Sequence, residues 1–258
     1  MKISIITPTS ANRQIHFPGL YHCFKSQTYP DCELLVLDDS PSSSEFFLNL
    51  SDPTVKYLQV KQGMTIGEKR NRLVQAAAGE IIVHFDDDDY YAPNYVEIMM
   101  NYLKEYDFVT LGGWYAYAPR HDFFCYWDTT QSSKYLFDVK PKLEVRALSL
   151  EEVSPEEEHV WLESVLWGYG FSYSYRKSIF DKITFDSVDF GEDIKFVEKV
   201  KEANYKTIHF LDQEGLVLHI IHDRNTSGIF PQFSLPSFLL AQIFGLEIIG
   251  FLWASQGG

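Results

Sequence analysis

Residues 81–93, which read Ile-Ile-Val-His-Phe-Asp-Asp-Asp-Asp-Tyr-Tyr-Ala-Pro, constrain this chain more than any other stretch. An apolar run from Ile81 to Phe85 breaks at once into four carboxylates, Asp86 to Asp89. Pro93 then starts a helix with Val96, Met99, Met100 and Leu103 along one stripe. The apolar run predicts a strand buried on both faces, as in a parallel sheet. Adjacent carboxylates repel, so a fold that gathers them needs a cation, and a divalent metal with hard oxygen ligands suits them. On an extended chain Asp86 and Asp88 point the same way and can grip one ion. A solvated acidic turn would read alike. The strand before it and the helix after it favour a ligand site, because open α/β sheets bind ligands at the carboxyl ends of their strands.

The first half of the chain repeats that pattern. Strands are predicted over 2–7, 33–37 and 55–60 besides 81–85, and helices over 18–27 and 65–78, the second closed by Gly79 as its C′ residue. Strands alternating with helices imply a largely parallel sheet. Polar residues recur at the strand ends: Thr7 and Thr9, Asp38 and Asp39, then Asp86 to Asp88. Together they would line one edge of one sheet. Lys69, Arg70 and Arg72 sit in the first half of a helix, where the macrodipole favours anions. A bound phosphate or the acidic edge would offset that placement. Removing Arg70 is expected to weaken nucleotide binding and leave the fold intact.

The second half is less regular. Phe108–Leu111 reads as a strand, and Trp114, Tyr117, Phe124, Tyr126 and Trp127 in the segment after it are expected in the core rather than as a platform for sugar faces. Glu151–His159 reads as an acidic, solvated helix start, and Phe171–Tyr175 as strand-like. A helix follows Asp189–Asp193, with Ile194, Val197 and Val200 turned inward. Leu216–His222 is the last clear strand. His219 and His222 lie three apart, so strand alternation lets only one face a site, and the polar turn after His222 selects that one. The apolar tail, 229–253, is short for a bilayer span and is interrupted by Gln242 and Glu247. It is expected to be a helix packed on the domain or on a second copy. Weak membrane contact is the alternative, though no Lys or Arg follows Arg224 to favour it.

Composition narrows the partners. The formal net charge of −14 over 258 residues argues against nucleic acid or an anionic membrane as main partner. It leaves nucleotides open. Three cysteines, Cys23, Cys32 and Cys125, are too few and scattered for a disulfide framework or zinc site. The chain enters its first strand at Ile3, with no room for a signal peptide, so a cytoplasmic location is expected.

Several motifs in order carry a resemblance: Thr7-Pro8-Thr9, Leu37-Asp38-Asp39-Ser40, Gly67-Glu68-Lys69-Arg70-Asn71, Gly79-Glu80 leading to Asp86–Asp89, Gly191-Glu192-Asp193, and His222 ahead of Asn225-Thr226-Ser227. They resemble family 2 glycosyltransferases of the GT-A fold, over residues 2 to about 227. The resemblance implies an α/β fold with a Rossmann-like, mixed, mainly parallel sheet flanked by helices. It implies one transferase domain over 1–227, with a nucleotide-binding half to about 111 and an acceptor half from 112, then the tail 228–258. It also implies a nucleotide-sugar donor carrying UDP or GDP, Mn2+ or Mg2+, inversion at the anomeric carbon, and a saccharide, lipid-linked or protein acceptor. By position, Thr7, Pro8, Thr9, Arg13, Asp38, Asp39, Lys69, Arg70, Asp86 and Asp87 would contact the donor. Asp86, Asp88 and His222 would hold the metal. Asp193 would be the catalytic base, with Glu192 beside it. The family usually shows Asp-x-Asp; here all four positions are Asp, so the register stays open by one residue.

Glycosyl transfer needs such groups, since a carboxylate must accept the acceptor's proton. Two rivals remain. A nucleotidyltransferase also places carboxylates and metal beside a nucleotide, but generally has a glycine-rich basic loop after its first strand, where this chain reads Thr9-Ser10-Ala11-Asn12-Arg13. A catalytically dead binding module would not need both the Asp cluster and Asp193.

Overall fold

The strands that hold the acidic stretch in place are parallel neighbours. The computed structural model describes residues 1–10, 13–61, 63–140, 145–149 and 154–255. In its N-terminal half, β1 (Ile3–Thr9) pairs in parallel with β2 (Cys32–Asp38) and with β4 (Ile81–His84), and β2 pairs with β3 (Val55–Gln59). The helices between them are α1 (Phe17–Ser26), the short α2 (Glu45–Leu48) and α3 (Ile66–Ala76). Register aligns Thr9 with Asp38 and Ile6 with His84, so all three polar strand ends reach one edge. Side chains alternate between two cores, as expected of strands covered on both faces: Ile5, Val36 and Val83 enter one, Ile6, Leu35 and Ile82 the other.

After the acidic stretch come β5 (Tyr90–Tyr91), α4 (Tyr95–Tyr102) and the long β6 (Phe108–Ala118). Then follow β7 (Phe123–Asp128), β8 (Tyr135–Val139), β9 (Val145–Ser149), α5 (Pro155–Trp167), β10 (Ser174–Arg176), α6 (Glu192–Glu202), β11 (Thr207–Leu211) and β12 (Val217–Ile220). The antiparallel β10 bridges β4 to β6, while β11 and β12 pair with successive parts of β6 in parallel. The result is the expected mixed, mainly parallel sheet with flanking helices.

Trp114, Phe124 and Trp127 are fully buried, as core residues should be, and Tyr117 and Tyr126 are half-buried. The acidic start expected over Glu151–His159 falls on residues 151–153 and on side chains outside the described residues.

Several local expectations need correction. Pro93 precedes the helix rather than opening it, since Asn94 is the N-cap of α4. Gly79 has no positive φ, and α3 ends at Ala76 with an extended Ala77. Its smallness serves β1 instead, because a Cβ there would lie 2.6 Å from the Ser4 amide nitrogen. In α6 the inward residues are Phe196, Val197 and Val200, while Ile194 is only half-buried and lines the main cleft. A further strand, β13 (Phe233–Leu235), follows β12 and pairs with β7.

The tail forms two short helices, α7 (Leu239–Phe244) and α8 (Glu247–Ser255), separated at Gly245 with φ of 82°. Leu240, Phe244, Ile248, Phe251 and Leu252 join the core. Phe251 packs so closely on α1 that a Cβ on Gly19 would meet its ring at 2.9 Å. Phe238, Leu246 and Trp253 stay exposed. Among the described residues no helix is long and apolar enough to cross a membrane.

Buried Glu33 stitches β2 to β1 and to the turn before β4. It accepts from Ser4 Oγ at 2.7 Å and from the Ala78 amide at 2.6 Å, and pairs with Lys2 and Lys56. Burial alone would raise its pKa, but these partners hold it down at about 2, against an ordinary 4.5. A depressed folded pKa stabilises the fold above 4.5 and loses that contribution as pH falls towards 2. Glu33→Gln is therefore expected to cost about 1–3 kcal/mol at neutral pH. In urea melts taken at several pH values, the gap to the parent protein should narrow as pH drops below 4.5. A gap that stays constant with pH would assign the cost to packing.

Candidate active site

The carboxyl ends of β1 and β4 open into a cleft of about 810 Å³, closed on its far side by the start of α6 and by residues 224–230. The acidic residues that follow β4 do not continue as an extended chain. They form a turn clamped from below by Tyr91, whose hydroxyl accepts from the Asp86 amide at 2.8 Å and donates to Phe171 O at 2.9 Å. The Tyr91 ring stacks on Phe85 at 3.8 Å.

The turn gives each aspartate different partners. Asp87 accepts from Thr9 Oγ1 at 2.5 Å and from Arg13 Nε at 2.9 Å. Asp88 meets Arg13 Nη2 at 2.5 Å, His222 Nε2 at 2.9 Å and Asn225 Nδ2 at 3.3 Å. Asp89 is fully buried and receives His219 Nδ1 at 2.8 Å and the Ile220 amide at 2.9 Å. Asp86 makes no ion pair among the described residues, and Arg70 acts on it only at longer range. Oxygens of Asp86, Asp88 and Asp89 lie within 4.8 Å of one another, close enough to share one cation.

The electrostatics show why a cation suits this turn. Burial, then the neighbouring Asp89 and Asp88, push Asp86 up to about 7. Burial would raise Asp88 as well, but Arg13 and His222 hold it far below the usual carboxylate range. Burial would lower His219, yet Asp89 lifts it to about 9, so it is charged at neutral pH. A hard divalent ion beside Asp86 would restore its charged form, because a close positive charge favours the carboxylate.

Both histidines of the His219–His222 pair therefore meet the acidic turn, contrary to the expectation that only one could. The alternation argument fails because β12 ends at Ile220. The chain then turns, with Asn225 Oδ1 accepting the His222 amide at 2.6 Å, and brings His222 back to Asp88.

The basic residues of α3 split three ways. Lys69 reaches Thr9 O at 2.8 Å and Asp39 at 2.8 Å, tying the ends of β1 and β2 together. Arg70 is buried in an ion pair with Glu192 and lies under Gly170, where a Cβ would sit 2.7 Å from its Nη2. Arg72 is exposed. The acidic edge thus offsets the cations at the start of the helix. Arg70 also supports the fold, so its removal acts on more than ligand binding.

Asp193 sits across the cleft in the first turn of α6, accepting from the Ile194 amide at 2.8 Å and the Gly170 amide at 3.2 Å. Burial raises its pKa most, Glu192 adds to that, and Arg70 opposes, leaving it at about 6. Glu192 lines the cleft but is committed to Arg70.

Of the sequence candidates, Pro8, Thr9, Arg13, Lys69, Arg70, Asp86, Asp87, Asp88, Glu192 and Asp193 line the cleft. Thr7 does not, since its hydroxyl donates to Phe85 O inside the sheet. Asp38 is fully buried against Ser40 and Tyr57, Asp39 serves Lys69, and His222 lines a separate cavity. Sequence reasoning set His219 aside in favour of His222, quoted Asn225 without giving it a role, and missed Gly170. The polar run after β12 signalled Asn225, whereas nothing local marked Gly170.

Comparisons with known proteins agree on one family. The sequence profile of glycosyl transferase family 2 matches residues 4–183, which ends before Asp193. The chain is 27% identical over 127 residues to a putative colanic acid biosynthesis glycosyl transferase, WcaA, of Escherichia coli, covering 48% of this chain and 43% of that protein. It is 23% identical to the glycosyltransferase GlyA of Streptococcus pneumoniae, covering 81% of this chain and 29% of that protein. The chain thus spans less than half the length of these curated relatives. Among solved structures it is similar to residues 1–349 of S. aureus TarS, crystallised with UDP-GlcNAc. That match has a TM-score of 0.60 and 19% identity, and covers 85% of this chain and 58% of that one.

The buried Arg70–Glu192 pair generates a stability prediction. Leaving one member of a buried pair alone costs about 3–5 kcal/mol, whereas replacing both by apolar groups is near neutral. Arg70→Ala should therefore lower the urea midpoint sharply, and Arg70→Met with Glu192→Met should recover most of the loss. A single variant with the parent's midpoint would show that the pair is not a support.

Proposed function

The chain belongs to glycosyl transferase family 2, and from that premise we propose that it moves a sugar from a nucleoside-diphosphate sugar to an acceptor hydroxyl, with inversion. One observation carries the reading: a carboxylate cluster able to share a cation and a half-buried, raised-pKa Asp193 both line one cleft. A uridine nucleotide is favoured over guanosine, since TarS 1–349 was crystallised with UDP-GlcNAc and with UDP. We assign 1–111 to the donor, 112–227 to the acceptor and 228–258 to a tail supporting both.

In this reading Asp86 and Asp88 would hold Mn2+ or Mg2+, with Asp89 fixing their turn. The ion supplies a Lewis acid that stabilises charge on the departing diphosphate. Arg13 orients Asp87 and Asp88, and Lys69 fixes the edge near the nucleoside. Asp193 takes the proton of the acceptor hydroxyl as its oxygen bonds to the anomeric carbon and the bond to the diphosphate breaks. Gly170 and Ile194 aim that carboxylate through their amides. Glu192 acts through Arg70 as a positioning residue.

The donor and base variants should fail for different reasons. Asp88→Asn is expected to weaken Mn2+ and UDP binding together in calorimetry. Asp193→Asn should bind both about as before while transfer falls by about 10²–10⁴-fold. Near-normal transfer by Asp193→Asn would remove it as base.

The pH profile provides a separate check. A base must be unprotonated, so the transfer rate should rise with pH through about 6 and level off above it. A rate flat from pH 5 to 8 at saturating donor would contradict an essential group titrating near 6.

A further inference from the structure

Behind Asp88, away from the main cleft, lies a second cavity of about 380 Å³. His222 and Arg224 form its wall towards the catalytic side, and the contact between His222 Nε2 and Asp88 separates the two spaces. Among the described residues its lining carries three cations, Arg120, Lys140 and Arg224, and one carboxylate, Asp223, in a chain of net charge −14. Among the described residues Arg120, which is exposed, has no carboxylate partner, and Lys140 pairs with Asp138 alone, at 3.1 Å.

His16 marks the floor. It is 5% exposed, lines this cavity and stacks on His222 at 5.1 Å, yet among the described residues neither of its ring nitrogens has a hydrogen-bond partner. A buried imidazole left unpaired is costly, so a group that accepts from it or donates to it belongs there. Ile15, Ile221 and Leu252 supply an apolar wall.

We propose that this cavity is a second oxyanion site, which takes a phosphoryl group not belonging to the donor. Cations on separate elements, converging from several directions, fit a tetrahedral phosphoryl group better than a planar carboxylate, which asks for a bidentate fork. The site needs neither the cation at Asp86 and Asp88 nor the transfer reaction, so it stands or falls separately from the reading of the main cleft. Its place directly behind Asp88 lets an occupant press on His222 and Arg224 from the far side.

Calorimetry with inorganic pyrophosphate tests this on the full chain in EDTA, where no metal can recruit phosphate to the main cleft. The parent protein should bind, and Arg120→Ala with Lys140→Ala should weaken binding about tenfold or more. Both side chains are at the surface, so a thermal melt and Mn2+-dependent UDP binding should match the parent. Retained pyrophosphate affinity in the double variant, no binding by the parent, or displacement of pyrophosphate by UDP would each overturn the proposal. Geranyl diphosphate identifies the source. Tighter binding than pyrophosphate, through the apolar wall, indicates a lipid-borne diphosphate, and equal binding a free oxyanion.

Discussion

Four successive carboxylates turned into a largely buried loop are the constraint on which the rest of this structure depends. Their mutual repulsion is relieved residue by residue. Arg13 comes from the segment after β1, His219 from the end of β12, and His222 with Asn225 from the turn beyond. These partners lie 74 to 137 residues away in sequence, so the loop ties together both ends of the domain. Asp86 alone of the four makes no ion pair among the described residues, with Arg70 acting on it only at longer range, and its raised pKa is what an incoming divalent ion would reverse. Stability and ligand affinity are therefore opposed at this turn: a cation built in permanently would leave no open position for a diphosphate.

Much of the fold was legible because its signals are local. Apolar runs ending in polar residues located β1, β2 and β4, and their shared edge followed from the parallel order. Motif order found Thr9, Lys69, Arg70, the Asp cluster and Asp193. What escaped was decided by tertiary context. Alternation along a strand could not show that β12 stops at Ile220, which allows His219 and His222 both to reach aspartates. Gly79 looked like a helix cap, but its identity is set by the β1 backbone passing within van der Waals distance. Gly170 carried no signal, because its role depends on an arginine 100 positions earlier lying beneath it.

The same distinction separates roles within the site. Thr7 and Asp38 stand in the expected motifs, yet both are spent inside the sheet, one on Phe85 O and the other on Ser40 and Tyr57. Motif position located the edge and could not identify which side chains line the cleft. Glu192 is similar: its neighbour Asp193 is held by two amides facing the cleft, whereas Glu192 neutralises Arg70.

The eleven residues of β6 have a mechanical consequence. One continuous strand pairs with β10 and β11 along its first part and with β7 and β12 along its second, while β10 also pairs with β4. The acidic turn after β4 and the elements of the second half of the chain therefore hang from one continuous strand. Two halves joined in this way cannot hinge apart like the jaws of a clamp, since bending would break backbone hydrogen bonds along the strand.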